Sequence, residues 1–151
     1  MGNFKNRLIP FAILLALTLR ADAAELTCIH IISSQGQKVP LFVELASSPK
    51  EQQQGLMNRT NLPENQGMLF VFHNTRFRNF WMKNTRIPLS IAYIGADGVI
   101  FQILDMKPMN TRIIYTSRYP ARFALEVNRG WFQKHNITPG CRIIMNGCIG
   151  K

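Results

Sequence analysis

Acid, histidine and cysteine are scarce in this chain, and no apolar run is long. Its 151 residues hold 8 Asp plus Glu, 3 His and 3 Cys, against 18 Lys plus Arg. No C-x-x-C occurs, which leaves thioredoxin-like redox chemistry without its dithiol. Neither G-x-S-x-G nor H-E-x-x-H is present, so the common serine-hydrolase and zinc-protease signatures are excluded. Internal repeats, low-complexity tracts and long linkers are also missing. What is there suffices for one packed domain: 46% hydrophobic residues, with 10 Phe, 3 Tyr and 2 Trp. A net charge of +10 favours acidic partners without naming them.

The first residues, MGNFKNRLIPFAILLALTLRADAAE, have the three-part layout of a secretory signal peptide. Lys5 and Arg7 precede a mainly apolar run from Leu8 to Leu19, and Ala21-Asp22-Ala23 supplies the small residues for cleavage after Ala23. That run is too short to cross a hydrocarbon core of about 30 Å as a helix. A retained anchor is the competing reading. Cys28 follows Leu26 and Thr27, which does not suit lipid modification. The expectation is residues 1–23 as leader and 24–151 as a single periplasmic or secreted domain without a transmembrane span. Export disfavours nucleic acid as the physiological partner and favours envelope polymers, lipid head groups and acidic small molecules. An oxidising compartment permits one disulfide among Cys28, Cys141 and Cys148, and Cys28 with one of the C-terminal pair is the favoured choice. Oligomeric state is left open.

Short runs rich in β-branched and aromatic residues dominate the remainder. They are 26–32, 39–46, 67–72, 79–83, 89–95, 99–105, 111–116, 123–127 and 141–145. Asp97-Gly98 reads as a tight hairpin turn and Pro139-Gly140 as a turn before the last strand. Ser48-Pro49-Lys50-Glu51 is a capping box that starts a helix reaching toward Asn58 or Arg59. Gly55 within it signals close packing or an earlier end. A second helical turn is expected over Trp131 to Asn136. Many strands with few helices predict a mainly β sandwich or barrel.

Between Arg76 and Arg86, four cations share eleven positions with Phe77, Phe80 and Trp81. Interleaved cations and rings can pair with anions and stack on planar or sugar faces. As a strand, this segment would send Phe80 and Met82 inward and Trp81 and Lys83 outward. Glu126 stands in an apolar strand, where a carboxylate is costly unless paired. Lys83 or Arg59 would satisfy it, as a structural ion pair or as the floor of a binding cleft.

Several motifs now fall in one order: GLMNR at 55–59, GMLFVF at 67–72, FWMKNTRIPLSIAYI at 80–94, Asp97-Gly98, and ALEVNRG at 124–130. Together they closely resemble the family called domain of unknown function 192, or uncharacterised protein family 0127, over about residues 39–145. The resemblance implies a compact, mostly β domain of jelly-roll-like type, frequently exported, and the runs read above give it about eight or nine short strands and one or two short helices. It implies no cofactor and no assigned reaction, and the residues by themselves give no metal site. Where the family usually has Asp after Ile-Pro-Leu, this chain has Ser90, and Cys141 stands at another position that is acidic in the family. Its glycines Gly67, Gly98 and Gly130 are expected at turns. Its polar positions Arg59, Trp81, Lys83, Asn84, Thr85, Glu126 and Asn128 are the candidate ligand-binding set.

The leading expectation is an exported β domain that binds a polar or anionic envelope ligand such as a glycan. A hydrolase or lyase acting on envelope carbohydrate is the first alternative, with Glu126 or Asp105 as proton carrier, or Ser90 with His73 or His135. A Cu(I)-binding protein is the second, drawing on the 7 Met and on Met106-Lys107-Pro108-Met109. Met57, Met68 and Met82 lie in apolar runs, where core filling is the commoner role.

Overall fold

The structure, a computed structural model, describes residues 25–145. The elements follow in the order β1 (Leu26–Ile32), β2 (Lys38–Ala46), α1 (Pro49–Gln54), β3 (Gln66–Arg76), β4 (Asn79–Phe80), β5 (Leu89–Ile94), β6 (Ile100–Met106), β7 (Tyr115–Thr116), β8 (Ala121–Asn128), α2 (Trp131–Lys134) and β9 (Arg142–Ile144). Seven strands form one sheet in the order β6-β5-β8-β3-β2-β1-β9, while β4 and β7 pair as a separate ribbon. Every pair is antiparallel except β2 with β3. The sheet curls until its two outer strands meet. Val99 bridges Arg142, the Ile100 N–H donates to the Cys141 carbonyl at 2.8 Å, and the Ile143 N–H donates to the Gly98 carbonyl at 2.9 Å. The mainly β expectation therefore holds, with nine strands and two short helices among the described residues.

Strand alternation gives the sheet two apolar faces. Phe123, Leu125 and Val127 of β8 point into the curl with Ile29, Leu41, Leu69 and Trp131. Ala124 points to the opposite face with Met68, Phe70 and Tyr93. There the second core is covered by Leu56 and Leu62 from the α1–β3 connection and by Met82, Ile87 and Tyr115 from the ribbon and its flanks. All six residues of β5 are buried because both of its faces are packed. Glu126 falls on the ribbon-covered face, between Ile91 of β5 and Met68 of β3 in direct register.

Four local expectations need correction. Residues 79–83 do not make a five-residue strand: only Asn79–Phe80 pair, and Asn84, with φ 53°, turns the chain so that the Thr85 N–H reaches the Met82 carbonyl at 3.2 Å. The predicted inward–outward alternation survives nonetheless, with Met82 buried and Trp81 and Lys83 exposed. Residues 111–116 are mostly a turn, since the Asn110 side-chain oxygen accepts from the Arg112 and Ile113 N–H groups at 2.9 and 3.0 Å. Helix α1 stops at Gln54, because Gly55 takes φ 48° and Asn58 turns again at φ 63°. Gly67 is no turn residue. It lies in β3, where a Cβ would sit 2.6 Å from the Glu126 carbonyl oxygen, so the missing side chain lets β3 and β8 close beside the carboxyl.

The capping box is present as read. The Glu51 N–H donates to Ser48 Oγ at 3.3 Å, and the Ser48 N–H donates to Glu51 Oε2 at 2.8 Å. Backbone donors at Ser48 and Ser47 hold the Glu51 carboxyl below its ordinary range. Ser48→Ala is expected to cost about 1 kcal/mol, read as a lower urea midpoint at unchanged slope.

Cys28 lies on β1 as a disulfide-bonded cysteine, and Cys141 is a free, buried thiol. A Cys28–Cys141 bridge, one of the two favoured pairings, is thereby excluded. Cys148 and the leader read at residues 1–23 lie outside the described residues.

Candidate functional site

A cleft of about 360 Å³ opens between the C-terminal end of α1 and the ribbon. Its wall is aromatic. Phe70 and Phe72 come from β3, Phe77 and Trp81 from the segments flanking β4, and Phe80 from β4 itself. Phe80 meets Phe70 edge-on with ring centroids 4.8 Å apart, which holds the ribbon against the sheet. Trp81 stands at the rim with 45% of its surface exposed. Gln52, Arg78, Asn79 and Thr85 add polar groups, and Glu126 lies at the floor.

Glu126 is 4% exposed and has no ion-pair partner among the described residues. Its register neighbours Met68 and Ile91 cannot bond it. Burial alone acts on its carboxyl and pushes its pKa up to about 8, so the group is largely protonated at neutral pH. Tyr93, on the same sheet face, is pushed upward too, first by burial and then by the Glu126 charge. Its hydroxyl donates to the Tyr115 carbonyl at 2.6 Å and is not free for a ligand.

The remaining polar lining is partly committed. Gln52 Nε2 donates to the Val71 carbonyl at 3.0 Å, fixing the helix side of the cleft. Arg78 lies 3.8 Å from the Phe72 ring centroid and donates to Asn74 and to the Ala121 carbonyl. Desolvation, then the nearby Arg76 and Arg122, lower the hold of Arg78 on its proton.

The predicted set divides. Trp81, Thr85 and Glu126 line this cleft together. Arg59 does not reach Glu126: it forms a bidentate pair with Glu44 of β2, both contacts at 2.5 Å, in a neighbouring recess. That pairing raises the Arg59 pKa further. Lys83 is exposed, with its Nζ 5.3 Å from the Trp81 ring centroid. Asn84 serves a turn, its carbonyl accepting from the Asn58 N–H at 2.8 Å. Asn128 Nδ2 donates to the Leu62 carbonyl at 2.8 Å and anchors the loop before β3. The ion pair of Glu126 with Lys83 or Arg59 is therefore absent, because Glu44 has taken Arg59 and Lys83 sits over the outer indole face.

Nothing local in the sequence marks Gln52, Phe70 or Phe72 as lining a cleft. Phe77, Arg78 and Phe80 were nevertheless signalled by the cation-and-ring string at 76–86. Gln52 and Phe72 had no comparable mark, since their place depends on how α1 lies against β3. The other chemical candidates fall elsewhere. Ser90 Oγ donates to Asp105 Oδ1 at 2.6 Å and accepts from the Gly130 N–H at 3.1 Å, so that hydroxyl has no histidine partner. Asp105 also faces Arg129 at 3.6 Å and does not line the cleft. His73 is exposed, and His135 packs on Trp131 at 4.4 Å between ring centroids. Met68, Met82 and Met106 are buried in the second core, while Met109 is exposed.

Fold and site define a class: a small curled-sheet domain with one aromatic cleft over an unpaired carboxyl. The family model for DUF192, described as "Uncharacterized ACR, COG1430", matches residues 30–145, and the chain belongs to that family. No curated protein matches. Among solved structures, the chain is similar to a candidate transcription regulator from Sinorhizobium meliloti 1021, with 36% identity and a TM-score of 0.78, covering 83% of this chain and 97% of that one. It is also similar to a protein of unknown function from Novosphingobium aromaticivorans DSM 12444, with 28% identity and a TM-score of 0.77, covering 83% and 89%.

Proposed function

We propose that this is an exported, periplasmic or secreted domain that binds a polar, ring-bearing envelope ligand of glycan type in the cleft beside Trp81. The observation that carries this reading is the unpaired Glu126 carboxyl at the end of an aromatic-walled opening. The carboxyl has no protein partner among the described residues and is not among the dry, unbonded polar atoms, so its oxygens face the opening, where a ligand hydroxyl can take the place of water. An indole at the rim offers a flat apolar face to the ring. Arg59 and Lys83 lie outside the lining, and Arg78, the cation within it, has its guanidinium turned to Asn74 and the Ala121 carbonyl. The geometry thus favours a neutral polar ligand over an acidic one.

A proton-donor role for Glu126 toward carbohydrate draws on its raised pKa. Against a two-carboxylate mechanism, no other Asp or Glu lines the cleft.

The test is titration of the protein with neutral and acidic envelope saccharides, read by indole emission and by thermal shift. Trp81 is exposed and Trp131 is 2% exposed, so quenching on ligand addition reports the cleft. Neutral saccharides are expected to bind. Glu126→Leu and Trp81→Ala should each weaken them about tenfold or more, with Arg59→Ala neutral. No response to any saccharide, or full binding by Glu126→Leu, overturns the proposal.

A further inference from the structure

The segments 76–88 and 107–122 lie side by side at one end of the molecule. Asn79 pairs with Thr116 and Phe80 with Tyr115. The Ser117 N–H donates to the Arg78 carbonyl at 2.9 Å, the Met109 N–H to the Thr85 carbonyl at 2.9 Å, and the Met82 N–H to the Asn110 carbonyl at 3.3 Å. Phe80 and Tyr115 turn inward to the second core, whereas Asn79 and Thr116 bond each other on the exposed side.

Two properties coincide there. The first is charge. The first segment holds Arg76, Arg78, Lys83 and Arg86, the second holds Lys107, Arg112, Arg118 and Arg122, and neither contains an Asp or Glu. None of these eight cations has an ion-pair partner among the described residues. The second is apolar exposure. Of the ten large hydrophobic side chains exposed among the described residues, six stand on these segments: Phe77, Trp81, Met109, Ile113, Ile114 and Tyr119. Ile114 is 50% and Met109 51% exposed, a cost that water alone does not offset.

We propose that this end of the domain docks on a lipid bilayer containing anionic phospholipid. Aliphatic side chains beside an indole and a phenol fit the boundary between head groups and acyl chains. The surrounding cations fit anionic head groups, each adding attraction that salt screens. A nucleic acid would use the cations but offers nothing to Ile113, Ile114 and Met109. This inference shares Phe77, Arg78 and Trp81 with the glycan cleft, whereas Arg112, Ile113, Ile114 and Arg118 do not line it, so variants at those four positions test the membrane face by itself.

The experiment is co-sedimentation of residues 24–151, the exported form expected from cleavage after Ala23, with vesicles of phosphatidylcholine alone and with vesicles that also contain phosphatidylglycerol. Binding is expected on the anionic vesicles, with little on the neutral ones and loss at high salt. Arg112→Gln with Arg118→Gln should weaken it about thirtyfold. Ile113→Glu with Ile114→Glu should weaken it at least as much, with unchanged thermal melting of both variants showing that the fold is kept. Equal binding to both vesicle types, or binding by the arginine variant equal to wild type, overturns the proposal. Equally tight capture of soluble dextran sulfate overturns it too, because the face would then recognise polyanions in general.

Discussion

Replacing Glu126 with glutamine is expected to stabilise the protein at pH 9 and to flatten its stability between pH 5 and pH 8. Burial raises the carboxyl from 4.5 to about 8, so the folded protein keeps a proton that the unfolded chain releases. Stability is then greatest below pH 4.5 and falls as pH rises through about 8. Each pH unit in that window carries about 1.4 kcal/mol, which sets a ceiling of about 5 kcal/mol. Glutamine keeps the shape and does not ionise. Urea unfolding of both proteins at pH 5 and pH 9 checks this: the two stabilities should lie close at pH 5 and separate at pH 9 in favour of the variant. A constant difference at both pH values would mean that folding does not raise the Glu126 pKa.

Phe70→Ala acts on the same cleft with the opposite sign. Phe70 is 1% exposed, stands edge-on to Phe80 and is stacked with Phe72 at 6.4 Å between ring centroids. Its truncation removes the contact that seats the ribbon on the sheet, and a loss of about 3 to 5 kcal/mol is expected at any pH. A lower urea midpoint with the slope unchanged would show the loss as cavity formation. A lowered slope would show instead that the ribbon had already detached in the native state.

The strands were legible where apolar runs are continuous: the 26–32 run is β1 residue for residue, and 89–95 differs from β5 only at Gly95. Periodicity failed at 79–83 and 111–116 because Asn84 and Asn110 redirect the backbone there, and side-chain turns leave no trace in hydrophobic alternation. The capping box was readable because its reciprocal bonds are local in sequence. Glu126 was readable as an anomaly, a carboxylate in an apolar strand. Its isolation was not, since Glu44 captures Arg59 across fifteen positions and nothing in either local pattern announces the pair. The cleft itself depends on where α1 ends against Phe70, and Gly55 gave only the hint of a close approach.

The meeting of β9 with the start of β6 has a bearing on self-association. An outer strand normally presents a ladder of unused amide and carbonyl groups that another chain can extend. Along the Val99–Arg142 seam those groups are used within the molecule. Polymer growth by strand addition to this sheet has no rung to start from at that seam.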